Sequence, residues 1–195
     1  MTRRRFSRAE LEGFRDAEVP DLLPSGTGDV RLLFVGINPG LWTAATRTHF
    51  AHPGNRFYPA LHRAGILGEP IDPAAGLDDG QRAALLRRGL GITNLVRRAT
   101  ARADELTTEE LRNGGARLRA VVRRVRPRVV AVAGITAYRT AFAARRAVTG
   151  LQPEDLEGAQ LWVVPNPSGL NAHETVDSLA DAYAQVARAA GLSLD

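Results

Sequence analysis

The sequence predicts an α/β fold of three layers, α/β/α, with helices on both faces of a mostly parallel four-stranded central sheet. Three observations predict it. Short, nearly continuous apolar runs recur along the chain, as expected of strands buried on both faces. Segments of helical periodicity alternate with those runs, the pattern of a parallel sheet covered on both sides. Across 195 residues there is no internal repeat and no shift of composition, so residues 1–195 read as one domain.

The elements follow in order. Residues 1–18 are expected to be a peripheral N-terminal extension, in which Ser7-Arg8-Ala9-Glu10 has the spacing of a capping box and opens a short helix. Pro24-Ser25-Gly26-Thr27-Gly28 reads as a loop. Val30 to Ile37 is the first apolar strand and ends in Asn38-Pro39-Gly40. Helices are expected over Asn55–Arg63 and Asp78–Arg88, the second stopped by Gly89, with a Pro/Gly/Asp-rich surface loop between them. Gly91 to Val96 forms a second strand.

Thr107 and Glu110 make a second capping box. It opens a long helix in which Leu111, Leu118, Val121, Val122 and Val125 recur at helical spacing. Gly114-Gly115 lowers the propensity of its first half, and Pro127 ends it. Arg128 to Ala133 is the third strand, followed by a helix from Gly134 to about Arg146. Gln160 to Pro165 is the fourth strand, and Val176 to Ala190 is a closing helix.

Composition narrows the chemistry. Cysteine is absent, which excludes disulfides, thiolate metal sites and cysteine nucleophiles. The four histidines include no i, i+4 pair, so no metal and no cofactor is expected. Lysine is absent too; all 26 basic side chains are arginine, and none can form a Schiff base. The net charge of +5 and pI near 10.8 fit either a polyanionic partner or an arginine-rich soluble surface. No apolar run approaches the ~20 residues of a membrane span. No apolar segment follows the basic Met1–Arg5 stretch, so a cytoplasmic location is expected. A monomer is expected as well, since no long apolar surface stripe is evident.

In parallel α/β sheets, ligands bind beyond the carboxyl ends of the strands. Two such ends carry unusual loops, Gly36-Ile37-Asn38-Pro39-Gly40 and Asn166-Pro167-Ser168-Gly169-Leu170. Taken singly, each is either an ordinary turn or a ligand loop. Taken with Phe50-Ala51-His52-Pro53-Gly54-Asn55-Arg56-Phe57 and the weaker GITNLVRRAT (Gly91–Thr100), they form an ordered set. By that set the chain resembles the mismatch-specific uracil-DNA glycosylases, relatives of the thymine-DNA glycosylases within the uracil-DNA glycosylase superfamily. The similarity runs from about Val19 to Ala190.

The resemblance implies a uracil-DNA glycosylase-like fold and, as partner, double-stranded DNA carrying mismatched uracil or thymine. It implies that Asn38 holds the attacking water. The Ile37 backbone and the Phe50 ring line the base pocket, and Asn166 lies over it. Gly169 and Leu170 form a wedge that fills the stack after the base is flipped. Arg47, Arg56 and Ser168 are the expected contacts to the DNA backbone, with Arg97, Arg98 and Arg102 as further candidates. The four arginines at 123, 124, 126 and 128 are read as a solvated helix end. Relatives often carry arginine two residues after the leucine; here that residue is Ala172, with Asn171 and His173 as substitutes for a contact to the opposite strand. Trp42, Thr43, Ala44 and Ala45 are expected to set the room for a thymine methyl group.

Asn38 is an amide and takes no proton at neutral pH, so it can orient water but cannot act as a base. More active superfamily members carry aspartate there and histidine in place of Asn166, so slow catalysis by positioning is expected. Asp104 is either a second catalytic group, activating water or stabilising a cation, or a surface acid preceding a helix. His52 is expected to brace the pocket; His49 and His62 are expected to be structural or exposed. Without lysine, a monofunctional glycosylase that leaves an abasic site follows. Two other readings stand beside it. One is a catalytically weak module that binds mismatches or damage. The other is an unrelated α/β enzyme acting on a nucleotide or other phosphate through the strand-end loops, whose mark would be a lysine-bearing phosphate loop or a carboxylate metal cluster, neither of which the sequence shows.

Overall fold

The computed structural model describes residues 6–25 and 29–195. The basic Met1–Arg5 stretch and the Gly26–Gly28 part of the expected loop lie outside the described residues. Five strands form one sheet: β1 Leu32–Gly36, β2 Leu90–Asn94, β3 Val129–Ala133, β4 Gly150–Leu151 and β5 Gln160–Val164. Their order is β2-β1-β3-β5-β4; the pairs up to β5 are parallel, and β4 runs antiparallel to β5. The sheet is therefore mostly parallel, with a fifth strand that the sequence did not announce. Two residues are too few to leave a periodic pattern. Gln152 donates its side-chain amide to the carbonyls of Val148 and Gly150 at 2.8 and 2.9 Å, which blunts this edge.

The helices are α1 Arg8–Glu12, α2 Leu41–Thr46, α3 Phe57–Arg63, α4 Asp79–Arg87, α5 Thr108–Val125, α6 Ile135–Ala141 and α7 Val176–Ala189. Alternation along the strands assigns α3 to α7 to two layers. Leu32 and Phe34 point to one face, where they pack with Phe57 and Leu61 of α3, Leu85 of α4, and Leu179 and Tyr183 of α7. Leu33 and Val35 point to the other, against Leu118 and Val122 of α5 and Tyr138 of α6. Both capping boxes are closed: Ser7 with Glu10, and Thr107 with Glu110.

Gly114-Gly115 costs helix propensity but permits contact. A Cβ at either would lie 2.6 Å from a carbonyl oxygen, of Leu95 or of Ala141. Thus α5 sits directly on the chain leaving β2 and on the end of α6. That helix stops at Ala141, short of the expected Arg146, because Ala143 turns left-handed and Arg139 captures the Ala147 carbonyl.

Ahead of β1, residues 16–22 form a strap along the free edge of β2. Leu22 and Ile92 exchange backbone hydrogen bonds at 2.8 and 2.9 Å; Asp16 N donates to Ala99 O, and Ala99 N donates to Ala17 O. Leu11, Phe14 and Ala17 pack with Val19, Leu41, Ala44 and Ala99 in a small separate cluster. Among the described residues no helix is long and apolar enough to cross a membrane.

Candidate active site

A cleft of about 1000 Å³ opens beyond the carboxyl ends of β1, β3 and β5. It gathers Ile37, Asn38 and Phe50 from the first two motifs and Asn166, Ser168, Gly169 and Leu170 from the last. Asp104, carried by a 3₁₀ turn at Ala103–Glu105, reaches the same cleft. Arg47 and Arg56 do not line it.

The Asn38 amide is held on one side. Its Nδ2 donates to the carbonyls of Pro39 and Arg98 at 3.1 and 3.0 Å and to Thr100 Oγ1 at 2.7 Å. Carbonyl oxygens only accept, so they fix which end of the amide faces them. Oδ1 is left without a donor among the described residues and faces the cleft as an acceptor. Thr100 Oγ1 in turn donates to Arg102 O, at 2.7 Å, and so ties Asn38 to the loop that carries Asp104.

A second amide, unforeseen in the sequence, reaches the cleft from β2. Asn94 is buried, and its Nδ2 lies 3.1 Å from His49 Nδ1. His49 Nε2 lies 3.0 Å from the Pro20 carbonyl, which only accepts. His49 therefore carries its proton on Nε2 and accepts from Asn94 through Nδ1. Burial lowers the His49 pKa, and this keeps the ring neutral. Asn94 Oδ1 remains without a donor among the described residues. A side chain at Gly36 would collide with that oxygen and with the Phe50 ring, so only glycine lets the strand end pass here. Histidine 49, expected to be structural or exposed, is buried and orients a cleft residue. The signal that could have found the pair is the polar Thr93-Asn94 ending an apolar strand.

Phe50 rests on Phe57, with ring centroids 4.1 Å apart and planes 27° apart. Its backbone is left-handed at φ 57°, a strain of about 1–3 kcal/mol for a residue with a side chain, held by its surroundings. Of the four residues expected to set the thymine wall, only Thr43 lines the cleft. Trp42 instead donates its indole N–H to Ala74 O at 3.0 Å.

The last motif forms a tight loop. Asn166 Oδ1 accepts from Ser168 N at 3.1 Å, so its Nδ2 is the atom without a partner among the described residues. Asn171 donates to Asn166 O at 3.1 Å and accepts from His173 N at 3.3 Å. Its side chain is thereby committed within the loop. Leu170 stands at the cleft mouth with 88% of its surface exposed.

The expected backbone arginines divide. Arg47, at the end of α2, is exposed, and its guanidinium has no partner among the described residues. Arg56 is turned inward: it donates to the carbonyls of Ser168 and Asn171 at 2.6 and 2.7 Å, and to that of Glu174. Those donors are not free to take a phosphate, which corrects its expected role. Arg97 pairs with Glu18 at 3.3 Å, and Arg98 with Glu110 and Asp16 at 2.8 Å each. Hydrogen bonding from Arg98 pulls the Glu110 carboxyl down to about 2. Arg102 pairs with Asp104 at 2.6 Å, and this hydrogen bond lowers the Asp104 pKa. Asp104 is thus an ionised carboxylate at neutral pH and a weak proton acceptor. No cluster of histidine and carboxylate side chains among the described residues could hold a metal ion.

The arrangement offers two fixed acceptors, one fixed donor, an aromatic wall and an apolar tip at the mouth. A model of the uracil DNA glycosylase superfamily matches residues 23–187. Among solved structures, the fold is similar to the solution structure of a protein from Methanosarcina acetivorans described as a candidate uracil DNA glycosylase. The two share 16% identity with a TM-score of 0.61, over 88% of this chain and 96% of the other.

Proposed function

The chain belongs to the uracil DNA glycosylase superfamily, and from that premise we propose that it excises uracil from mismatched duplex DNA by flipping the base and hydrolysing its bond to the sugar. The observation that carries this reading is Leu170, an almost fully exposed apolar side chain at the mouth of a polar cleft. Apolar wedges of this kind occupy the gap in a base stack once a nucleotide leaves it. Extrusion costs about a few kcal/mol and costs least at a mispair, so uracil opposite guanine is the favoured substrate, and G·T is taken only if the pocket admits the thymine methyl group.

Inside the cleft the flipped base stacks on Phe50. Asn94 Oδ1 accepts from the N3–H of uracil, a proton that cytosine lacks. Asn166 Nδ2 donates to a base carbonyl, whose negative charge grows as the C1′–N1 bond breaks and its electron pair leaves with the base. The water on Asn38 Oδ1 forms the new C1′–O bond and loses a proton to solvent. Asp104 brings a carboxylate, shared with Arg102, to the side of the cleft where the cation-like sugar would lie. With no general base, turnover forgoes the ~10²–10⁴-fold that such a group supplies. With no lysine, the product is an abasic site and an intact strand. Contact to the opposite strand falls to His173, since Asn171 is held inside the loop.

Single-turnover cleavage of end-labelled duplexes carrying G·U, A·U or G·T, beside single-stranded uracil, tests this reading. Scission only after alkali, fastest opposite guanine, is expected. Equal rates in all uracil contexts remove the mismatch claim. Tight mismatch binding with no base release makes the chain a recognition module.

A further inference from the structure

We propose that Arg56 is a positioning residue that locks the wedge loop to the wall of the base pocket, so that the vacated stack and the flipped base are received by one preformed body. The inference rests on the base-flipping reading above.

Arg56 stands at the junction of the two parts. It immediately precedes α3, whose first residue, Phe57, backs the Phe50 ring. Its backbone N donates to Pro167 O at 2.9 Å, and its guanidinium donates to the carbonyls of Ser168, Asn171 and Glu174. These carbonyls bracket Leu170 on both sides in sequence. A planar cation with several donors suits such a set, because it can satisfy divergent acceptors at once while a lysine ammonium offers a single point. A second contact closes the same joint: a Cβ at Gly169 would lie 2.5 Å from the Gly54 oxygen, so the backbones of the two loops touch. The remaining links across the wedge loop are short-range turns made by Asn166, Ser168 and Asn171. They shape the loop; its height over the cleft is set by the Arg56 hydrogen bonds together with the Gly54–Gly169 backbone contact. A preset loop avoids the ordering cost that a mobile one incurs on binding.

The prediction separates two substrates. Single-stranded uracil needs no stack to be filled, so its cleavage depends on Asn38, Asn94, Phe50 and Asn166, which its own turn holds, but not on the Leu170 wedge. Arg56→Ala is expected to lower single-turnover cleavage of a G·U duplex about 10–100-fold, the loss typical of a misplaced element near a reaction. Cleavage of single-stranded uracil is expected to hold, and Arg56→Lys to recover only part of the duplex rate. Amide hydrogen exchange of residues 168–174 is expected to accelerate in Arg56→Ala, with the sheet still protected.

Equal loss on both substrates, with exchange raised throughout, makes Arg56 an ordinary stabilising residue and overturns the proposal. Unchanged exchange in the loop overturns it as well. A wild-type protein that cleaves neither substrate removes the glycosylase reading instead, and the functional half of this proposal with it. The exchange arm then still decides whether Arg56 holds the loop.

Discussion

Asn38 and Asn166 are the same residue at the floor and the mouth of one cleft, yet they present opposite atoms. At the floor, two carbonyls and a threonine hydroxyl take Nδ2 and leave an acceptor. At the mouth, a local turn takes Oδ1 and leaves a donor. The difference teaches that an amide's chemistry is set by the half its neighbours consume. It also shows two ways of fixing a group. The floor is held by partners about 60 residues away, at Arg98 and Thr100. The mouth is held by its own turn and by Arg56.

The largest effect is expected at the floor. Asn38→Ala is expected to reduce single-turnover cleavage about 10²–10³-fold with little change in duplex affinity, the usual cost of one oriented polar group. Asn38→Asp sharpens the point. A carboxylate would face the Pro39 and Arg98 carbonyls where an N–H₂ now donates, so the variant is expected to lose activity even though it gains a base. A rate above wild type at neutral pH would break the contrast.

At the mouth, Asn166→Asp keeps the turn acceptor and removes the donor. Cleavage is expected to fall about tenfold, as for loss of one hydrogen bond to a developing charge. Unchanged kinetics would show that only the turn matters. Leu170→Ala is expected to cost a similar or smaller factor on duplex and nothing on single strands. Its exposure leaves stability unaffected, which a thermal melt checks.

The smallest effect concerns how the floor is held. Burial keeps His49 neutral, with a pKa below its ordinary 6.5, while the hydrogen bond to the Pro20 carbonyl and, after it, Asp21 oppose that shift and Arg82 adds to it. The folded chain thus binds this proton less readily than the unfolded chain. The contribution is complete above about pH 6.5 and is lost as the pH falls below it, by at most ~1.4 kcal/mol per pH unit for one proton. Melts between pH 8 and 5 should show this slope in wild type and a shallower one in His49→Gln. Equal slopes would remove His49 as the cause.

Much of this was legible in sequence because the signals were local. The α/β alternation, both capping boxes and the two strand-end loops are each written in a few adjacent residues. Asn38, Phe50, Asn166 and Leu170 sit in such loops, and the fold brings them to one cleft. What stayed hidden depends on distant pairing. Asn94 meets His49 across 45 positions, and Arg56 reaches carbonyls more than 110 positions away. Nothing near Arg56 distinguishes a guanidinium facing phosphate from one facing inward. The family model, which spans residues 23–187, shows the superfamily, and the likeness to a solved structure shows the fold.

The strap at residues 16–22 has a consequence in time. It pairs with residues 92–99, and Pro20 supplies the carbonyl that sets the His49 tautomer. During synthesis this segment leaves the ribosome long before its partners exist, and closing so wide a loop is slow. The floor of the cleft therefore assembles only after residue 99 has emerged and returned to meet a segment that has been waiting for it.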